Sequence, residues 1–95
     1  MYARVATFEG GDTQHIREMN ENTDSRPELP DGVRRVMMLD DAQAGRRLFI
    51  AFFDSREALD AAQSRFESMG DEISEDVRGR RLSVDVYEVV ADEEV

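Results

Sequence analysis

Ninety-five residues suit one small domain, because two cores would each fall below the size that folds alone. Cysteine is absent, which excludes disulfides, thiolate catalysis and cysteine-ligated zinc. Twenty-two acidic residues against 12 basic ones, every one of them arginine, give a formal charge of −10 and argue against a dedicated binder of nucleic acid or anionic membrane.

Tyr2 to Phe8 reads as the first strand, rich in β-branched and aromatic residues and stopped by Gly10-Gly11. Asp12 is placed to cap a first helix, where its carboxylate accepts an orphan N–H and suits the helix dipole. Ile16 and Met19 form an i, i+3 apolar pair, but Asn20, Asn22 and Thr23 are poor helix formers, so the helix is expected to end near Thr23. Arg26 to Gly32 reads as a loop in which Pro30-Asp31-Gly32 makes a turn. Val33 to Asp40 and Arg47 to Asp54 are the second and third strands, joined by a loose hairpin loop over Asp41 to Arg46.

A second helix opens at Asp54, with Glu57 completing a capping box, or at Ser55 as the cap instead. Ala58, Leu59, Ala62, Phe66 and Met69 share one of its faces; Asp60, Gln63, Ser64 and Glu67 share the other. Gly70 fits a left-handed stop. Asp71 to Gly79 is polar, with a short helical turn around Ile73; its Glu72, Glu75 and Asp76 lack the spacing of a calcium loop, and no metal is expected. Arg81 to Val90 alternates as the last strand, and Asp92-Glu93-Glu94 is a fraying acidic tail. No apolar run approaches the ~18 residues of a membrane span and no signal peptide opens the chain, so the expectation is a cytoplasmic protein of one domain over residues 1–95.

The order β-α-β-β-α-β is the ferredoxin-like split arrangement of the α+β class. Right-handed crossovers place both helices on one face of a four-stranded antiparallel sheet in the order 4-1-3-2. Such a sheet in a monomer is apolar toward the helices and polar toward water. Leu48-Phe49-Ile50-Ala51-Phe52-Phe53 breaks that rule by being apolar on both faces, as does Val36-Met37-Met38-Leu39. Whichever face the helices cover, a greasy surplus is left, and each exposed Phe forgoes ~2–3 kcal/mol of burial. A second copy of the chain in a symmetric homodimer is the commonest cover for such a patch; a monomer whose uncovered face takes an apolar or aromatic ligand is the alternative.

On the last strand, Leu82, Val84 and Val86 are assigned to the helices, leaving Ser83, Asp85, Tyr87 and Val89 on the second side. With Ala3, Val5 and Thr7 also assigned to the helices, Tyr2, Arg4, Ala6 and Phe8 join that second side. Arg4 and Asp85 would then pair across adjacent strands with Tyr87 close by: Arg4 to hold an anionic or phenolate oxygen, Tyr87 to donate a proton or hydrogen bond. The structural alternative is an ion pair bracing two strands. His15 is the one histidine, the residue type suited to acid–base work near neutral pH, and it stands at a possible pocket edge beside Ile16. Gly10-Gly11 lacks the remaining glycines of a dinucleotide fingerprint, so no cofactor is expected.

The opening Tyr2-Ala3-Arg4-Val5-Ala6-Thr7-Phe8-Glu9-Gly10-Gly11, then Asp31-Gly32-Val33, Phe53-Asp54-Ser55-Arg56-Glu57-Ala58-Leu59 and the closing Val84-Asp85-Val86-Tyr87-Glu88-Val89 together resemble the dimeric α+β barrel superfamily, close to the antibiotic biosynthesis monooxygenase-like domains. The resemblance covers nearly the whole chain through order, spacing and texture. It implies two sheets facing each other in a homodimer, and a pocket between each sheet and its helices or at the barrel mouth. It also implies, at family level, cofactor-independent oxygenation of an aromatic or quinol-like substrate, with a non-catalytic binding or assembly module as the alternative. The Asn, Trp and His of haem-degrading members are not matched: Trp is absent, Asn20 and Asn22 are the only Asn, and His15 falls on the first helix.

Overall fold

Alternation along the chain closes into a four-stranded antiparallel sheet in the order β2-β3-β1-β4, built from β1 (Tyr2–Glu9), β2 (Arg35–Asp41), β3 (Arg46–Phe53) and β4 (Arg80–Glu88). Helix α1 (Thr13–Glu21) follows β1; α2 (Arg56–Glu72) and the single turn α3 (Glu75–Arg78) follow β3. The computed structural model describes residues 1–22 and 28–95, so the expected helix end at Thr23 and the loop start at Arg26-Pro27 lie outside the described residues. The expected ferredoxin-like architecture and strand order are both present.

Local chemistry sets the element ends. Asp12 caps α1, its Oδ1 accepting from the His15 N–H at 3.1 Å, and Ser55 caps α2, its Oγ accepting from the Ala58 N–H at 3.1 Å. Asp54 is engaged elsewhere, accepting from Arg34 Nε at 2.7 Å. The stop expected at Gly70 does not occur: α2 runs through it to Glu72, and Ile73 is the extended cap. Arg65 ties this end down, donating to Glu72 at 2.7 Å and to the Glu28 carbonyl at 2.6 and 2.9 Å. The helical turn expected around Ile73 is α3, two residues later, and its left-handed terminator is Gly79, at φ 81°. A Cβ at Gly79 would stand 2.6 Å from the Glu9 carbonyl oxygen, and one at Gly11 2.6 Å from that of Val77. These two glycines let the β1–α1 turn and the α3–β4 turn touch, and the Asp12 N–H donates to Val77 O at 2.8 Å there.

Strand register decides which residues face the helices. Arg4 lies opposite Ala51 and Val86, and Ala6 opposite Phe49 and Val84. The covered face therefore carries Tyr2, Arg4, Ala6 and Phe8 with Arg47, Phe49, Ala51 and Phe53. This reverses the expected phase of the first strand: Ala3, Val5 and Thr7 lie on the open face. A buried arginine won the helix side because α2 supplies its partners. On β4, Val84 and Val86 do face the helices, but the register slips by one residue between Thr7 and Phe8. Leu82 falls in that bulge and stays 39% exposed, instead of packing under a helix as expected.

The core forms where α2 crosses β3. Phe53 and Leu59 are fully buried, with Ala51, Ala62 and Phe66 around them. Phe66 meets Phe53 and Phe49 edge-on, at ring distances of 6.1 and 6.3 Å, the arrangement that aromatic quadrupoles favour. No helix of the described residues covers the other face. There Val5, Met37, Leu48, Ile50 and Phe52 are half-buried by one another, and Leu39 and Tyr87 are 46% and 57% exposed.

Candidate functional site

A cavity of about 490 Å³ lies between the covered face of the sheet, α1, α2 and the α2–β4 connection. Its walls are mostly apolar: Ala6, Phe8, Met38 and Phe49 from the sheet, Ile16 and Met19 from α1, Phe66 and Met69 from α2. The volume suits a small organic molecule. Among the described residues, α1 is short and brings only two apolar side chains, Ile16 and Met19, to the cavity wall.

Two arginines are buried in this region, each 3% exposed. Arg4 rises from the middle of β1. Its Nε donates to Gln63 Oε1 at 2.8 Å, its guanidinium carbon stands 4.4 Å over the centre of the Phe66 ring, and its Nη2 is 3.6 Å from Glu67 Oε1. Glu67 in turn accepts from Arg81 Nη1 at 2.9 Å. Burial pushes the Arg4 guanidinium below its ordinary value, Glu67 draws it up, and Arg81 pushes it down again. An arginine so placed keeps its charge. Glu67 is held below the usual carboxylate range, first by the Arg81 hydrogen bond and then by the charges of Arg81 and Arg4.

Arg47 sits at the other end of the covered face and spends its donors on the fold. Its Nη2 donates to Arg78 O at 2.7 Å and to Gly10 O at 3.4 Å, and its Nη1 to Thr13 Oγ1 at 3.2 Å. Burial lowers its pKa, opposed by the charge of Asp40 on the neighbouring strand. Arg47 thus clasps the two glycine turns and the start of α1, while Arg4 looks into the cavity.

The site expected from sequence is only partly assembled. Arg4 and Asp85 do not pair: Asp85 lies opposite Val5, and the two side chains stand on opposite faces of the sheet. Tyr87 shares the open face with Asp85 and does not line the cavity. His15 is exposed on α1 and also stands outside the cavity wall. Met38 lines the cavity and Met37 lies on the open face, as strand alternation requires. Gln63 and Glu67, read as outward residues of the second helix, are the true partners of Arg4. Their i, i+4 spacing beside Phe66 was the available signal. Among the described residues, no three His, Cys, Asp or Glu side chains are grouped to hold a metal ion.

No family model matches the chain, and no curated protein matches it in sequence. Among solved structures, the fold is similar to that of a "putative antibiotic biosynthesis monooxygenase" from Deinococcus radiodurans, with a TM-score of 0.53 and 14% identity over 100% of this chain and 98% of that one. The likeness runs end to end and is one of fold: a four-stranded antiparallel sheet with its helices on one face, the arrangement of the antibiotic biosynthesis monooxygenase-like domains.

Proposed function

We propose that this chain is a homodimeric α+β barrel protein that binds a small apolar, aromatic molecule in the cavity on the covered face of each sheet. One observation carries the reading: a cavity of about 490 Å³, walled by aromatic and methionine side chains, into which a buried guanidinium opens. A largely apolar wall with a few convergent polar groups is the usual make-up of a small-molecule site. Binding is tested with the neutral fluorophore N-phenyl-1-naphthylamine on the purified full chain. One saturable site per chain is expected, and Ala6→Phe should abolish it, because Ala6 is buried in the cavity wall. Unsaturable binding, or binding unaffected by Ala6→Phe, would overturn the reading.

A second copy on the open face is supported by that face's charge pattern as well as its grease. Arg35 stands on edge strand β2 and Asp85 on edge strand β4; neither has a salt bridge among the described residues, and Arg35 rests 5.9 Å over Phe52. A two-fold axis along the strands would lay β2 of one protomer over β4 of the other and set the two opposite charges twice within two residues, about 7 Å, of each other along the strands, a gap the long arginine side chain can lean across. Light scattering at micromolar protein should report a dimer. Arg35→Asp should weaken it, and adding Asp85→Arg should restore it. A monomer in every case would refute the assembly.

The fold likeness favours a second reading for the cavity, oxygenation without a cofactor. A ring methylene flanked by phenols would lose a proton to give a carbanion whose phenolate oxygen Arg4 holds. Dioxygen would then deliver one atom as a carbonyl, and the other would leave as water with the two hydrogens of the methylene. Oxygen uptake in step with loss of an anthrone-type substrate, abolished by Arg4→Met, is the expected result; uptake equal to the protein-free rate would exclude it.

A further inference from the structure

Resting on the cavity as a ligand site, we propose that its ligand is an organic anion: a flat apolar body bearing one carboxylate or phenolate, which takes the open edge of Arg4 in place of Glu67.

A guanidinium has five donors. Arg4 places one, its Nε–H, on Gln63; its Nη2 is 3.6 Å from Glu67, beyond hydrogen-bond length, and its Nη1 has no protein acceptor among the described residues. Yet no buried side-chain nitrogen or oxygen of the described residues is sealed without a partner. The terminal nitrogens of this 3% exposed side chain are therefore reached from the cavity, which Arg4 lines. A charge taken this far out of water with one hydrogen bond and a distant counter-ion is incompletely compensated. A carboxylate or phenolate in the cavity supplies the missing acceptor at the fork geometry that arginine favours.

The charge of the wall points the same way. Over the chain, acidic residues outnumber basic ones almost two to one, at 22 against 12. Around the cavity the balance reverses, with five arginines (Arg4, Arg47, Arg78, Arg80 and Arg81) against Glu67, Asp71 and Glu75. A cationic recess in an acidic protein concentrates anions where the rest of the surface repels them.

Glu67 is the resident competitor. It is exposed at the cavity rim and its stronger partner is Arg81 at 2.9 Å, so it can give up Arg4 without losing its own hydrogen bond. The aromatic rings fix the rest of the ligand. Phe66 already backs the guanidinium, and Phe49 meets Phe66 edge-on, so a ring entering beside them packs against aromatic side chains.

The test titrates the full-length protein with 2-naphthoate and with its neutral counterpart 2-naphthamide. Naphthoate is expected to bind at least tenfold more tightly, and Arg4→Met should erase the difference. Glu67→Gln, which keeps shape and leaves Arg4 in place, should tighten naphthoate several-fold and leave naphthamide unchanged; this arm stands even if Arg4→Met fails to fold. Equal affinity for the two compounds, or a naphthoate affinity indifferent to Glu67→Gln, overturns the anion assignment and leaves the apolar site intact, provided N-phenyl-1-naphthylamine still binds. Loss of that neutral probe as well would remove the site itself.

Discussion

Phe53 and Phe52 are neighbours on β3 and belong to different surfaces. Phe53 is 0% exposed under α2, edge-on to Phe66, whereas Phe52 is half-buried on the open face with Arg35 over its ring. The same contrast runs across the sheet. The covered face combines large rings, small alanines and two arginines, and it is packed unevenly enough to leave a cavity. The open face carries a row of Val5, Ile50, Leu48 and Met37. One strand thus serves two surfaces: a covered one beside a cavity, and an open one that is largely apolar.

The sharpest way to break that contrast is to truncate the two phenylalanines in turn. Phe53→Ala should cost about 3–5 kcal/mol in urea unfolding, since the ring is fully buried and its neighbours can collapse only in part. A domain this small has little more than that in reserve. Phe52→Ala should cost the isolated subunit far less and show itself in the protein-concentration dependence of the midpoint, which should weaken if a second copy covers that face. Equal losses from both variants, at every concentration, would erase the distinction between the faces.

The two buried arginines give the next largest effect. Arg47→Met removes donors to Gly10 O, Arg78 O and Thr13, and should destabilise by about 2–3 kcal/mol, as expected for hydrogen bonds from a charged group. The donors of Arg47 are committed to those acceptors, so its loss should show first in the urea midpoint. Arg4→Met is expected to do the reverse in kind, with its larger effect on anion binding, because one of its terminal nitrogens has no acceptor among the described residues and the other lies 3.6 Å from the Glu67 carboxylate. Urea midpoints and ligand titrations of the two variants side by side measure the contrast.

The smallest effect is a pH dependence on the covered face. Glu67 has its carboxyl lowered in the folded state by Arg81 and then by Arg4. A depressed carboxyl stabilises above its unfolded pKa of about 4.3, and that contribution is lost as pH falls through the folded value. Glu67 is 55% exposed, so the contribution is a surface-sized one. Wild type should exceed Glu67→Gln in stability at neutral pH, and the gap should close as the pH is taken below 4. A gap that persists in acid would assign the role of Glu67 to packing.

Much of this arrangement is legible in the residues themselves. The order of strands and helices follows from alternation and caps, and the doubly apolar β3 already announces that neither face of the sheet is a simple solvent face. The phase of β1 is not legible in the same way. Leu48-Ile50-Phe52 and Phe49-Ala51-Phe53 are equally apolar, so β3 offers no way to choose between its faces. Arg4 then tips the choice outward for a reader who has no partner for it. The partner comes from α2, whose Gln63 and Glu67 look like solvent residues until the helix is laid on the sheet. The one-residue bulge at Leu82 is a second such case, since a strict period of two carries no mark of a skipped position. The left-handed stop expected at Gly70 is likewise absent: α2 runs two residues further, to Glu72, which Arg65 clamps, and ends at an extended Ile73, while the left-handed glycine, Gly79, ends α3.

The most direct measurement is an amide and guanidinium NMR titration of the full chain with 2-naphthoate. The Arg4 Nε–H resonance should shift together with the amides of Ala6, Phe49 and Phe66, while those of Val5, Ile50 and Phe52 stay in place apart from small through-strand effects. Saturable shifts centred on Val5, Ile50 and Phe52, with the Arg4 resonance unmoved, would contradict it and make the open face the binding surface.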